Sequence, residues 1–206
     1  FVKRVESKKS NKNKIIFCPY FFSKYPRNFK PIETQDCNLD FLKNQEHILK
    51  YLNKNLKGSF IRLGINEDYI LKYYKNLIKK KYQNLNIDTN QSFSKSLSEA
   101  KIILTTYNST VLLESIYLNI PVVAIWEKNH FYHNSKSKKF FNILKQSNVI
   151  HYNMNDGLKF LKNISTDPNK WWKNPTVSKN VNKFSNYFCN RNFSYNSLKK
   201  NLINIK

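Results

Sequence analysis

Asn108, Ser109 and Thr110 are the residues of this sequence best suited to chemistry, with Glu114 close behind them. Glu114 is the one charged residue within 104–126, although the whole chain carries a formal net charge of +23. Asn and Ser often begin helices, because their side chains accept from an unpaired backbone N–H. The start of a helix that follows a strand also attracts anions through its free N–H groups and its dipole. The cluster therefore predicts a phosphate site, with Glu114 near the sugar hydroxyls of a bound nucleotide.

Residues 108–110 also have an ordinary structural explanation. Side chains of these types cap many helices that bind nothing, and Glu114 would then lie on the exposed outer face of its helix. The binding hypothesis has equal support, because ligands of doubly wound sheets gather outside the carboxyl ends of the strands. Both interpretations stay open at the level of residue types.

Strands and helices are predicted to alternate along most of the chain. Short apolar runs bounded by turn residues predict strands, and apolar residues at helical spacing predict helices. The predicted strands are residues 14–22, 59–65, 84–88, 101–107, 120–126 and 148–152. The predicted helices are residues 39–56, 66–82, 90–100, 108–119, 135–147 and 155–164, with one or two more within 167–192. Since the strands are largely apolar, helices must cover both of their faces, which predicts an α/β, Rossmann-like, doubly wound and mostly parallel sheet of about five or six strands.

Three segments follow from this pattern. Residues 1–13 are polar and predict a frayed lead-in, whereas residues 14–165 contain the predicted sheet. Residues 166–206 predict C-terminal helices that pack back on this domain or point towards a further one. Residues 102–126 are largely apolar and long enough to cross a bilayer. The polar cluster at 108–110, Glu114 and Pro121 favour instead a strand, a helix and a second strand.

The basic residues are in large excess, with 36 Lys and Arg against 13 Asp and Glu. Such an excess attracts nucleic acid, anionic lipid or phosphorylated substrates. Only four of these residues are Arg, the side chain that binds phosphates and bases bidentately. The abundance of Lys, Asn and Ile indicates instead a bias towards A/T-rich codons. A Lys-rich nucleic-acid-binding α/β domain without enzymatic activity is therefore the alternative hypothesis, and a contact with anionic lipid is a third.

Several familiar kinds of site are not predicted. Three glycines are too few for a glycine-rich phosphate cradle. The three cysteines lack metal-site spacing and predict reduced thiols in a cytosolic protein. Glu127, His130 and His133 lie close together, but no further ligand has convincing spacing, so no metal is predicted.

Residues 104–126 resemble the donor-binding motif of GT-B type glycosyltransferases, in which a small polar cluster opens a helix, a Glu follows and a Pro-led strand comes next. They are most similar to a bacterial family of transferases found with surface-polysaccharide genes. The residues that carry the resemblance are Thr106, Tyr107, Asn108, Ser109, Thr110, Leu113, Glu114, Asn119, Ile120, Pro121, Trp126, Asn129 and His130. Weaker similarities at residues 25–27, 61–63 and 171–177 extend it over residues 14–190.

This resemblance implies a transferase. The chain would be the C-terminal half of a GT-B fold, with residues 14–165 binding a nucleotide-activated sugar as donor substrate and with no cofactor. The acceptor would be a carbohydrate or a lipid-linked molecule. An amino-terminal half upstream of Phe1 would hold the acceptor and the general base, and the enzyme would act in the cytoplasm, with peripheral contact at the inner face of the membrane. Residues 64–70 depart from the family, which usually has a glycine turn there.

The resemblance also assigns binding roles to single residues. Arg62 would be a phosphate ligand, although an Arg at the end of a buried strand is also explained by a structural salt bridge. Tyr25 and Arg27 would face the interdomain cleft, or else be surface loop residues. Glu127 and His130 would contact the donor, and His130 is the candidate for a catalytic group. The substrate-binding set is completed by Asn108, Ser109, Thr110 and Glu114.

Overall fold

A computed structural model describes residues 12–20, 35–63, 68–128 and 133–189, without the side chains of residues 35–39, 68–71, 73 and 74. Six strands lie within these ranges: β1 Lys14–Cys18, β2 Phe60–Ile61, β3 Asn86–Ile87, β4 Ala100–Thr105, β5 Val122–Ile125 and β6 Ile150–His151. The helices of the same ranges are α1 Gln35–Asn55, α2 Asp68–Lys81, α3 Phe93–Glu99, α4 Thr110–Tyr117, α5 Ser135–Gln146, α6 Met154–Ile164, α7 Pro168–Trp172 and α8 Pro175–Phe188.

The six strands form one sheet in the order β3-β2-β1-β4-β5-β6, and their pairs are parallel. This confirms the predicted α/β, doubly wound, parallel sheet. From β1 the chain moves outwards to β2 and β3, and it then returns to place β4 on the other side of β1. Such a reversal leaves a crevice between the carboxyl ends of the two central strands, because their connections leave towards opposite faces of the sheet.

Both faces of the sheet are covered by helices. On one face α1, α2 and α6 pack against Phe17 and Leu104, and on the other α3, α4, α5 and α8 pack against Ile16 and Ile103. These four strand residues are completely buried. Because successive side chains of a strand point to opposite faces, β1 and β4 must be apolar at nearly every position. This burial explains why the lysines of these two strands, Lys14 and Lys101, stand at their first and second positions.

Several predicted strands were too long. β1 ends at Cys18 because Pro19 has no N–H to continue the ladder. β2 covers two residues, although pairing continues beyond it, since Arg62 N–H donates to the Phe17 carbonyl at 2.9 Å. β4 ends at Thr105, where the chain turns towards α4. Apolar composition marks a buried run but not the residue at which the backbone leaves the sheet.

Two tryptophans fix α7 and α8 to the face of the sheet that α3, α4 and α5 cover. The Trp172 indole donates to Asn119 Oδ1 at 2.8 Å, and the Trp171 indole donates to the Ser147 carbonyl at 3.0 Å. Val181 and Phe184 of α8 are buried in the same core as α5. These contacts hold the C-terminal helices on the sheet domain.

Residues 102–126 form most of β4, all of α4 and β5, as the sequence predicts. Among all the helices of the described ranges, none is both long enough and apolar enough to cross a bilayer.

Gly157 of α6 faces β5 with almost no free space. A Cβ atom there would lie 2.7 Å from Ile125 Cδ1 and 3.0 Å from His151 Cβ. We expect Gly157→Ala to lower the free energy of unfolding by about 1–3 kcal/mol in urea denaturation, because overpacking exceeds the gain in helix propensity of roughly 1 kcal/mol.

The matched control is Asn155→Ala, an exposed position of the same helix where alanine makes no new contact. The cost of Gly157→Ala should shrink in an Ile125→Ala background, because the closest neighbour is then absent. An unchanged cost in that background would contradict the predicted clash.

Candidate functional site

A cleft of about 340 Å³ lies at the crevice between β1 and β4. The chain segments that follow β1, β2 and β4 reach it together with the first turns of α3 and α4. Its lining residues are Cys18, Pro19, Tyr20, Arg62, Phe93, Tyr107 and Val111. Parallel strands bring their carboxyl ends to one edge of the sheet, which is where ligands of this fold class bind.

The start of α4 borders this cleft and is open. Ser109 is the N-cap, in extended conformation, and its hydroxyl accepts from Val111 N–H at 3.2 Å. Asn108 and Thr110 are exposed and Ser109 is partly exposed, so no packed side chains cover the first turn. Asn108 and Ser109 were both candidates for the N-cap, and Ser109 is the one that caps α4. Within this turn Val111 N–H is bonded to the Ser109 hydroxyl, and the N–H groups of Leu112 and Leu113 lie 3.1 and 3.4 Å from the Ser109 carbonyl. An anion beside Tyr107 and Val111 would therefore depend on the Thr110 N–H and on the helix dipole.

Glu114 lies one turn further along α4. It is three positions after the cleft-lining Val111, so the two side chains are on the same side of the helix. Glu114 is half-buried, and this burial raises the pKa of its carboxyl above the usual range. No hydrogen bond joins its carboxylate to another of the described residues, and a carboxylate can accept from the hydroxyl groups of a ligand.

Arg62 is held at the cleft wall by a cluster of polar groups. Its Nη1 donates to Asp88 Oδ2 at 3.0 Å, to Ser96 Oγ at 2.7 Å and to the Asn90 carbonyl at 3.1 Å. The Ser96 hydroxyl also donates to Asp88, whose side chain is 1% exposed. Arg62 therefore makes the structural salt bridge that its position suggested, and it also lines the cleft. The phosphate role assigned to it by resemblance stays a prediction.

Aromatic side chains form much of the remaining wall. Tyr20 and Tyr107 meet edge to face with ring centroids 5.2 Å apart, and the Phe93 ring lies 5.4 Å from the Arg62 guanidinium carbon. Burial raises the pKa of the Tyr107 phenol, and the neighbouring Ser109 hydroxyl opposes this effect. Flat apolar walls beside a cation and a helix start suit a ligand that has both a ring and an anionic group.

Of the remaining predicted site residues, Glu127 lies within the described ranges, and the structure places it outside the cleft. Its side chain is exposed after the end of β5. Tyr25, Arg27 and His130 lie outside the described residues, so their predicted roles stay predictions. Within the described ranges, no three His, Cys, Asp or Glu side chains come together as a metal site would require.

Sequence reasoning missed several residues of this site. Asp88 and Ser96 were not singled out, although they hold Arg62, and neither was Phe93. A usable signal existed, because Asp88 directly follows β3 and Phe93 begins α3. Polar or aromatic residues just beyond the ends of parallel strands share one edge of the sheet.

Comparisons with known proteins identify relatives of this chain. A sequence model of the family described as LIC12162 family transferase matches residues 2–203. The crystal structure of TarM, a glycosyltransferase, is similar with a TM-score of 0.54 and 18% sequence identity. The similar region covers 99% of this chain and 37% of the TarM chain, so this chain spans well under half of that protein's length. A comparison with curated proteins gives no match.

Removing the charge of Asp88 tests the anchor of Arg62. We expect Asp88→Asn to lower the free energy of unfolding by about 3 kcal/mol in urea, because the guanidinium loses its buried counter-charge. The control is Glu46→Gln, which breaks exposed pairs with Lys50 and Lys81 and should leave the melting temperature nearly unchanged. Equal effects of the two substitutions would contradict a buried, stabilising pair.

The Cys18 thiol, at the floor of the cleft, should be unreactive in the folded protein. Burial raises its pKa from 9.0 to about 12, so the thiolate fraction near pH 8 falls about a thousandfold. Iodoacetamide labelling followed by mass spectrometry should modify the half-buried Cys189 well before Cys18.

Denaturant should abolish this difference in labelling.

The raised pKa of the Cys18 thiol also predicts how the free energy of unfolding depends on pH. It should be intact below pH 9 and decline as the pH rises towards 12, because the thiol of the unfolded chain loses its proton first. Rapid labelling of Cys18 in the native protein would contradict the predicted burial.

Proposed function

The chain belongs to the LIC12162 transferase family, and from this premise we propose that its cleft binds the nucleotide-activated sugar donor of a glycosyl transfer. The observation that carries the proposal is the open start of α4 at the crevice between β1 and β4, with Arg62 lining the same cleft. A helix start supplies backbone donors and a partial positive charge, and an Arg supplies a full one. Together they suit the two phosphates of a nucleoside diphosphate sugar.

The geometry suggests a division of roles. The phosphates lie against the first turn of α4, at Ser109 and Thr110, and face Arg62. The nucleoside lies along the aromatic wall formed by Phe93, and Glu114 accepts from hydroxyl groups of the donor. Each of these groups lines the cleft or adjoins a residue that does.

In the transfer step the bond between the sugar carbon and the phosphate oxygen breaks, and an acceptor hydroxyl oxygen forms the new bond to that carbon. The leaving nucleoside diphosphate gains negative charge, which the α4 start and Arg62 stabilise because they are already in place. The acceptor is proposed to be a carbohydrate or lipid-linked molecule of surface polysaccharide synthesis. Its proton is proposed to pass to a base in an amino-terminal half of the enzyme.

A thermal-shift panel of UDP, CDP, GDP and CMP tests donor binding. One nucleotide should raise the melting temperature, because a ligand at a hundred times its Kd adds about 2.7 kcal/mol of stability. Glu114→Gln and Thr110→Ala should reduce the shift for that nucleotide while leaving the melting temperature of the free protein nearly unchanged, since Thr110 is exposed.

Matched controls are Asp40→Asn, an exposed carboxylate of α1, and Thr176→Ala, an exposed Thr in the first turn of α8. Both should keep the full shift. A chain that no nucleotide stabilises, but that binds RNA with an affinity falling steeply with salt, would support the nucleic-acid alternative and overturn the proposal.

A further inference from the structure

The outer side of α1 and α2 carries a dense group of lysines together with exposed leucines. On α1, Lys43, His47, Lys50 and Lys54 recur at helical spacing on one exposed stripe. We use the name α1/α2 surface for Leu42, Leu77 and eight exposed lysines. These lysines are Lys43, Lys50, Lys54, Lys57, Lys72, Lys79, Lys80 and Lys81.

The register of α1 and α2 indicates that the two leucines occupy neighbouring turns of this surface. Glu46 of α1 and Lys81 of α2 form an ion pair at 2.7 Å, which fixes how the helices align. Leu42 is one turn before Glu46, and Leu77 is one turn before Lys81. Both helices connect parallel strands and therefore run in the same direction. One step back along each helix brings the leucines to neighbouring positions, where they are 52% and 43% exposed.

Acidic residues are outnumbered two to one by lysines in these helices. The sequences of α1 and α2 contain four carboxylates, Asp36, Asp40, Glu46 and Asp68, against eight lysines, and Glu46 already pairs with Lys50 and Lys81. The surface therefore combines strong positive charge with two adjacent exposed apolar side chains. Exposed leucines surrounded by cations are typical of surfaces that insert shallowly among lipid headgroups.

Among the described residues of the opposite layer, no exposed leucine accompanies the lysines. Helix α5 has four exposed lysines, but its large apolar side chains face the core. The other large hydrophobic side chain exposed in the described ranges is Tyr187 of α8, whose ring stacks on Phe140 at 4.0 Å. In the part of the chain that the structure describes, exposed lysines occur on both layers, whereas the exposed leucines lie on the α1/α2 surface.

We propose that the α1/α2 surface binds the face of an anionic lipid bilayer. Lysines near an anionic membrane each contribute attraction that is screened by salt, and the two leucines add apolar contact among the acyl chains. Nucleic acid fits this surface less well, because it would leave the leucines in water and it favours the planar fork of Arg. The proposal does not depend on nucleotide binding by the cleft.

Vesicle flotation of the whole 206-residue chain tests the proposal, with phosphatidylglycerol and phosphatidylcholine mixtures compared with phosphatidylcholine alone. The chain should float with the anionic vesicles and not with the neutral ones. Replacing Lys43, Lys50, Lys79 and Lys80 by Gln should lower the affinity at least tenfold. The matched control replaces Lys136, Lys138, Lys139 and Lys145 of α5 by Gln, which removes the same charge and should change the affinity less than twofold.

A second variant, Leu42→Gln with Leu77→Gln, should lower the affinity severalfold without altering the net charge. Unchanged melting temperatures would show that all variants are folded, as expected for exposed positions. Equal losses from the α1/α2 and α5 lysine variants would overturn the proposal, because total charge would then explain binding. Equal flotation with neutral vesicles would overturn it as well. So would binding of an RNA oligonucleotide in place of vesicles, with an affinity that the two leucine substitutions leave unchanged.

Discussion

Burial of β1 and β4 on both faces is the constraint from which the rest of the structure follows. Ile16, Phe17, Ile103 and Leu104 are completely buried beneath the helices, so the middle of each central strand cannot carry charge. Polar groups can enter only where the backbone leaves the sheet, at the strand ends. The crevice between β1 and β4 is the place where several strand ends, two helix starts and solvent meet. The lysines are displaced to the outer sides of the helices for the same reason.

Placing a guanidinium at that crevice requires compensation. Arg62 follows a buried strand, and its charge is offset by Asp88, which is almost fully enclosed, with further acceptors on Ser96 and Asn90. A half-made network would be costly at such a depth, because an unpaired buried charge loses its hydration. The salt bridge that stabilises the fold also fixes the guanidinium against the cleft. A structural role and a binding role are therefore compatible for this residue.

The start of α4 likewise combines a structural role with an accessible surface. Ser109 satisfies one N–H of the first turn, and the exposed Asn108 and Thr110 leave the turn accessible. One turn on, partial burial makes the Glu114 carboxyl harder to ionise, as its raised pKa indicates. A carboxylate kept partly out of water gains more from a hydroxyl donor on a ligand than an exposed one does. These features make the α4 start accessible to a ligand that carries hydroxyl groups.

The order of strands and helices, the parallel sheet and the capping role of residues 108–110 could all be derived from the sequence, because apolar periodicity and cap residues act over a few positions. The strand ends could not, since a run of apolar residues does not record where the chain turns. Nor could the partners of Arg62, which lie 26 and 34 positions away at Asp88 and Ser96. The sequence by itself determined which elements form and which motif they carry. Only the tertiary structure decided which strand ends meet at the cleft, because strand order is set by the packing of helices on two faces and not by any local pattern.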